Sequence, residues 1–550
     1  MFRKSTTNKQ LDIFSSISTQ LHGKVRDKYQ DIKEWHNLFR INVFENIDEN
    51  VFSKLFDANM GSPNASIKKT ISMMILKEGF GWSDKELFEN CNFNVLVRSA
   101  MSMFDLKEKV PSESTYYEHK RKIYRNEIAT GEDLIEKVFD GITGKQAMNF
   151  GVKAESIRMD SKLIGSNIAN CSRYELIHGV IKEFYKSLNN FQKTKLSKES
   201  KSFLEKLQKE DQEKVLYYSK GNELTEKMQR LGNLMYLLIK LFNENDSDYY
   251  STLLTVFNQQ FKIDENDEKI ELKPKNEIRA SSIQSPHDTD SDYRKKGKQE
   301  IKGNVVNITE TCNETGLNLI TKPDVKPATA ADNSFYKEGV EKTQEILDDK
   351  VNKSYQDGAY HSKENDKFNK DNDIEMFLTG IQGRESNFKF ELTQDGFKVE
   401  DLSTGNKQNA VNTKGGKYRI KDADGKYRYF SLEQIANYYN REKINNLPQE
   451  EQNKRNNVEA AMFQLSLFTR NYKIRYRGLI KTKIWANMRC LWINLVRIKN
   501  YMGKLCPDFN QINKIAQKTR KVVNILNRIN VFKQIFQLKL KKEKYMLIFS

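Results

Sequence analysis

Three acidic residues far apart in the 550-residue chain, Asp160, Asp357 and Glu459, are of the type and setting that one α/β core would gather for chemistry. Asp160 stands in "IRMDSKLIGSN", between the short alternating apolar stretches Ile157/Met159 and Leu163/Ile164. A strand interior disfavours aspartate, so a carboxylate there needs a reason. Asp357 ends a short strand candidate in "VNKSYQDGAYHSKEN", and Glu459 lies in the helix-patterned "PQEEQNKRNNVEAAMFQLSLFTR". Carboxylates brought together without compensation repel one another, and burial raises their pKa values until some hold protons. Divalent cations remove that conflict, and an all-oxygen ligand set selects Mg²⁺ or Mn²⁺ over zinc. Two such ions, typically about 3.5–4 Å apart, lower the pKa of an attacking water or 3′-hydroxyl and steady the leaving oxygen of a phosphodiester. Each acid has a plainer reading by itself: Asp357-Gly358 is a common turn pair, and a lone glutamate on a polar helix is usually solvated.

The elements that must position these acids can be read along the chain. Residues 1–150 are helical in pattern, with Ser83/Glu86 and Thr115/Glu118 at capping-box spacing and apolar residues at helical spacing between Ser66 and Phe80. Such helices suit a DNA-binding unit of the helix-turn-helix kind and equally suit plain packing. Ser172 and Glu175 open another capped helix, and helical patterning dense in Lys and Glu continues to about residue 262, so residues 172–279 read as a helical insertion and linker. "NVVNITET" and "LNLITKPDV" form a hairpin through "CNETG". Asp332 and Asn333 are placed to cap a helix running to about Leu347, which satisfies Asp332 without metal, and the acid-rich "HDTDSDYRKK" reads as a polar loop near the site. Residues 371–435 alternate like a small antiparallel β unit. With both insertions removed, residues 151–171, 280–370 and 436–500 make a mixed α/β core, followed by a basic tail at 501–550.

Composition narrows the partners. With 30% charged but 37% hydrophobic and 11% aromatic residues, the chain should fold and be soluble. No apolar run approaches the ~18–20 residues of a membrane span and the N-terminus has no secretory pattern, so a cytoplasmic protein is expected. Cys91, Cys171, Cys312, Cys490 and Cys506 show neither disulfide nor zinc spacing. The net charge of +18 is one-ended: from Arg470 to Ser550 there are 20 Lys and Arg against two acids, which is the whole excess. That is the footprint of a polyanion, most simply DNA; an anionic membrane surface and an unspecific solvated tail are the rival readings.

The segments around the three acids resemble those of bacterial insertion-sequence DDE transposases. "RMDSKLIGSNIANCSRYELI" is similar to the family's first-aspartate segment, "SPHDTDSDYRKKGKQEIKGNVVNITET" to the stretch leading through its second strand, and "QDGAYHSKEN" to its second-aspartate segment. "KRNNVEAAMFQLSLFTRNYKIRYRGLIKTKIWANMRCLWINL" resembles the block that holds the glutamate, and "GSPNASIKKTISMMILKEGFGWSDKELFENC" the N-terminal domain. The resemblance implies an RNase H-like mixed-sheet core in which Asp160, Asp357 and Glu459 ligate two Mg²⁺ ions, Asp160 bridging them. It implies that Arg455 grips DNA near the cleaved phosphate. The family tyrosine and lysine of that signature are here Gln452 and Ser466, with Arg470 or Lys473 as substitutes for the lysine. Arg475, Arg477, Lys481, Lys483 and Arg489 are then expected to contact backbone phosphates. The partners implied are double-stranded DNA, both element ends and target, with a dimer on DNA, no membrane, no zinc and a nucleoid-associated bacterial location. The activity implied is metal-dependent cleavage and strand transfer at the ends of a mobile element. A non-catalytic DNA-binding descendant of a transposase and an RNase H-like nuclease are the alternatives.

Overall fold

The structure, a computed structural model, describes residues 1–5, 15–169, 171–219, 221–263, 269–297, 299–380, 385–394, 396–413, 415–422, 424–456 and 458–505. Beyond Leu505 the expected basic tail, with ten of the twenty C-terminal Lys and Arg, lies outside the described residues.

Helix α1 (Ile67–Phe80) begins at Ser66, whose hydroxyl accepts from the Lys69 amide, and stops at Gly81, which takes the left-handed φ of 71°. The helix Asp84–Phe93 carries the expected Ser83/Glu86 capping box. Helix α2 (Glu113–Thr130) starts one turn earlier than the Thr115/Glu118 spacing predicts, because the Ser112 hydroxyl reaches the Thr115 amide and caps the helix first. Helix α3 (Leu134–Phe150) is capped by Asp133.

The core sheet begins with β1 (Ser156–Gly165), followed by β2 (Asp292–Lys296), β3 (Gln299–Thr311) and β4 (Ile320–Pro327). Helix α4 (Tyr336–Leu347) then crosses to β5 (Lys353–Gln356), and the helix Lys363–Asn372 leads to β6 (Glu375–Leu378). The spatial order is β4-β3-β1-β5-β6, with β2 on the first residues of β3. β3 is antiparallel to both β1 and β4, as the hairpin pattern predicts, whereas β5 and β6 run parallel to β1. β6 falls inside the span 371–435 that composition assigns to the β unit, yet it belongs to the core. A strand returning through a helix after β5 pairs parallel with it, and local alternation cannot reveal that.

Alternation sorts β1 onto two faces. Ile157, Met159 and Leu163 pack with Tyr336 and Val340 of α4; Ile164 packs on the other side with Val306 and Ile308. That second face is covered by α5 (Gln449–Asn456), α6 (Val458–Ser466) and the long α7 (Leu479–Leu505). α7 also packs on α1 and α3, so the N-terminal helices and this face share one apolar core. Their closest approach needs Gly79, where a Cβ would overlap the Trp492 ring.

Helices between Arg173 and Gln260 form the helical insertion around their own core of Ile177, Phe184, Leu238 and Val256, with the expected Ser172/Glu175 box at its start. The β insertion contains two three-stranded antiparallel sheets around Phe390, Val399, Ile420 and Phe430. No described helix is long and apolar enough to cross a membrane.

Candidate active site

The register of β1 and β5 explains the aspartate inside a strand. The parallel pairing runs Ser156 with Lys353, Ile157 with Ser354 and Arg158 with Tyr355. Continued by two residues, the same register would bring the chain at Asp357 opposite Asp160. β5 ends at Gln356, however, and Asp357 turns away to start a short 3-10 turn with its carboxylate accepting from the Gly358 amide at 2.7 Å. Asp160 is therefore the first β1 residue whose neighbour on that edge has left the sheet. The edge is closed again only at Gly165, whose amide donates to the Tyr472 carbonyl and whose carbonyl accepts from the Ile474 amide. Gly165 is required there, since a Cβ would meet Lys473 Cγ at 2.9 Å. The interval between these two closures, Asp160 to Ile164, has no strand paired to that edge among the described residues and forms a notch at the carboxyl end of β5, where parallel sheets commonly leave room for a ligand.

The face of β1 that holds Asp160 is spanned by α5 and α6. Arg158 donates to the Lys454 carbonyl at 2.9 Å, and the Lys162 ammonium donates to the Ser466 hydroxyl at 2.7 Å. Asp160 lies between these anchors on the strand, and Glu459 lies between them on the helical segment. Val458, Ala461, Met462 and Leu465 form the buried side of α6, which leaves Glu459 exposed at its border. Seven residues are about two turns, so Glu459 and Ser466 share a stripe on the side that Lys162 reaches.

Beneath the notch, the structure corrects the expectation for Asp332. It caps nothing: Ala331 and Phe335 precede the 3-10 turn and α4 without a side-chain cap. Instead its carboxylate accepts from the Ser161 hydroxyl at 2.9 Å, while the Ser161 amide donates to Asp160 at 2.9 Å. Tyr360, 1% exposed, donates from its hydroxyl to Asn307 at 2.5 Å. Burial first, then the nearby Asp160, Asp332 and Asp357 carboxylates, push that hydroxyl well above its ordinary pKa. It stays protonated, with all three aspartates in its electrostatic surroundings. Sequence reasoning missed Tyr360, whose only signal is its position three residues after Asp357, and it misjudged Asp332.

The carboxylates of Asp160 and Asp357, both of which act on Tyr360, are oxygen donors of the kind that suits a divalent cation. The third ligand is not drawn in: among the described residues no three His, Cys, Asp or Glu side chains stand close enough together to hold one ion. The acids of "HDTDSDYRKK" have structural tasks. Asp288 accepts from Ser166 and from the Gly478 amide, and Asp290 from the Leu479 amide, so both fix the start of α7.

The cations expected to meet DNA divide into two groups. Arg470, Arg475, Arg477 and Lys481 are exposed, Lys481 with its ammonium 5.0 Å from the centre of the Tyr124 ring. Arg475 donates to the carbonyls of Gly81 and Trp82, Arg477 to that of Asn167 at 2.7 Å, and Lys473 to that of Ile168 at 2.8 Å. Lys483 pairs with Glu127 at 3.4 Å. Arg489 departs from the expectation of a phosphate contact: it is 4% exposed and its guanidinium donates to the carbonyls of Glu78, Gly79 and Gln464. The amphipathic α7 turns it inward, where it ties α1 to α6. The side chains of Arg455 and Gln452 lie outside the described residues. Ser466, standing where the resemblance expects a lysine, receives the ammonium of Lys162.

Comparison with known proteins adds one finding. Residues 27–122, which include α1 and the capped helix after it, match the family described as Transposase domain (DUF772), and this supports a transposase. No curated protein matches the chain. No solved structure matches it either.

Proposed function

We propose that this chain is a DDE transposase with an RNase H-like core, which binds the ends of an insertion sequence and catalyses metal-dependent DNA cleavage and strand transfer. The observation that carries the reading is the parallel β1/β5 register, which brings the end of β5 toward Asp160, with Asp357 the first residue after that strand and the Glu459 helix crossing the same face of β1. The strand order and directions, with one antiparallel hairpin and two parallel strands flanking β1, support an RNase H-like core. The family match over the N-terminal helices supports the same class.

In this reading Asp160 and Asp357 hold the cation site, and Glu459, on the bordering helix, completes it by side-chain movement when DNA enters. A divalent cation bound there supplies Lewis acidity toward the attacking water or 3′-hydroxyl and offsets charge on the phosphate. Asp332 acts through Ser161, holding the amide that donates to Asp160 and so fixing the carboxylate's orientation. Tyr360, kept neutral, donates to Asn307 within the electrostatic reach of the aspartates. Exposed cations such as Arg470 and Lys481 attract the duplex through its phosphates, without reading sequence. Pairing two element ends requires two such sites, so the protein works as a dimer on DNA.

The test is Mg²⁺- or Mn²⁺-dependent cleavage of a duplex bearing the element end, and joining of a pre-cleaved end to plasmid DNA. Wild type performs both, while Asp160→Asn and Asp357→Asn bind the duplex and do neither. Equal behaviour of wild type and Asp160→Asn leaves only a DNA-binding descendant; cleavage without joining makes the protein a nuclease.

A further inference from the structure

Lys162, like Lys302 and Lys473, is held by neutral hydrogen-bond partners where most lysines near the core pair with carboxylates. Lys322 pairs with Glu136 and Glu338, Lys342 with Asp140, Lys454 with Glu314 and Glu451, and Lys483 with Glu127. The partners of Lys162 are neutral: the Ser466 hydroxyl at 2.7 Å, the Met462 carbonyl at a long 3.5 Å, and the Tyr472 ring, whose centre is 5.7 Å away. An ammonium has three donors, and these contacts use one of them well. No carboxylate is in hydrogen-bond contact with it, and the one that acts on it through space is that of Asp160.

Its position is specific as well. Lys162 is two residues from Asp160 on the same face of β1, about 6.6 Å along the strand. It stands in the middle of the edge that β5 leaves at Gln356 and the 472–474 segment closes at Gly165. The half-buried side chain reaches across the notch to the Ser466 end of the stripe that Glu459 begins. Facing it, Asn471 and Tyr472 hold left-handed backbone with φ of 50° and 60°, a conformation that costs energy in residues other than glycine and is concentrated at functional sites. This strained turn is what brings the Tyr472 ring over the ammonium.

We propose that Lys162 grips a non-bridging oxygen of the DNA phosphate seated in the notch, opposite the Asp160/Asp357 pair. Arg470 and Lys473, the cations next along the chain, do not fill this place: Lys473 is engaged with the Ile168 carbonyl, and Arg470 lies on the exposed turn outside it. The inference rests on the reading of the notch as a phosphodiester site, and its test avoids catalysis. The full-length protein is titrated with a linear duplex ending in the element's terminal repeat, in Ca²⁺ and over a fourfold range of salt. Each lost phosphate contact flattens the dependence of log affinity on log salt by about 0.9, which changes the affinity ratio across that range by roughly 3.5-fold. Lys162→Gln should lose one such contact, Lys162→Arg should keep it, and Ser466→Ala, which removes the tie to α6 but no charge, should match wild type. Unfolding curves of all three should stay close to wild type. If Lys162→Gln retains the wild-type slope and affinity, the proposal falls; if Ser466→Ala flattens the slope equally, Lys162 is only a tie between β1 and α6. A flattened slope for Lys162→Gln beside an inert Asp160 position would instead retain this contact and sink the catalytic reading.

Discussion

Replacing Glu310 by glutamine removes the one negative charge held between two arginines. Glu310 is fully buried on β3, where Arg158 of β1 and Arg497 of α7 both donate to its carboxylate, with side chains only 10% and 18% exposed. Breaking a buried ion pair from one side typically costs about 3–5 kcal/mol, because the remaining charges lose their compensation while staying out of water. The substituted amide still offers one acceptor, which puts the expected loss near the lower figure, about 3 kcal/mol. At ~2–4 °C per kcal/mol for a domain of this size, the melting transition of the core should fall by roughly 6–12 °C. Chemical denaturation with urea, followed by near-ultraviolet circular dichroism of the core tyrosines and tryptophans, measures the change directly. The consequence reaches the site, since Arg158 is two residues from Asp160 and also holds the Lys454 carbonyl of α5. A combined Arg158→Met, Glu310→Leu, Arg497→Met variant should recover most of the loss, as apolar replacements of whole buried clusters do. A Glu310→Gln protein within about 1 kcal/mol of wild type would refute the claim that this cluster is electrostatically dry.

Two other predictions separate structural from functional charge. Burial, with Asp133 adding to it, raises the Glu127 carboxyl to about 7 from its ordinary 4.5, only partly opposed by Lys483, and its Oε2 has no hydrogen-bond partner. A folded-state pKa above the unfolded one means stability present in full below pH 4.5 and lost as pH rises through about 7. Glu127→Gln should therefore leave stability at pH 4 unchanged and raise it at pH 8, by an amount on the order of 3 kcal/mol at most, measured by urea unfolding at both pH values. Arg489→Gln should cost about 2–4 kcal/mol by leaving three carbonyls short of donors, whereas Arg470→Gln should leave unfolding unchanged and weaken only DNA binding in a salt-dependent way.

Local signals in the chain determined much of the framework. Capping boxes at Ser83/Glu86 and Ser172/Glu175, the hairpin around "CNETG", and the alternation in the β insertion each follow from interactions within a few residues, so they were legible in order along the sequence. Asp160 stood out for the same reason, as a carboxylate between the apolar residues Met159 and Leu163 of a strand. What folding alone decided concerns pairs distant in sequence. The parallel pairing of β1 with β5, the recruitment of Glu375–Leu378 into the core, and the inward turn of Arg489 depend on which strand or helix becomes a neighbour. Asp332 shows the limit most plainly: its sequence context matches a helix cap, yet its carboxylate reaches Ser161, 171 residues away. A polar side chain bonds to whichever partner packing brings within about 3 Å, and for residues on separate strands the chain between them carries no record of that distance.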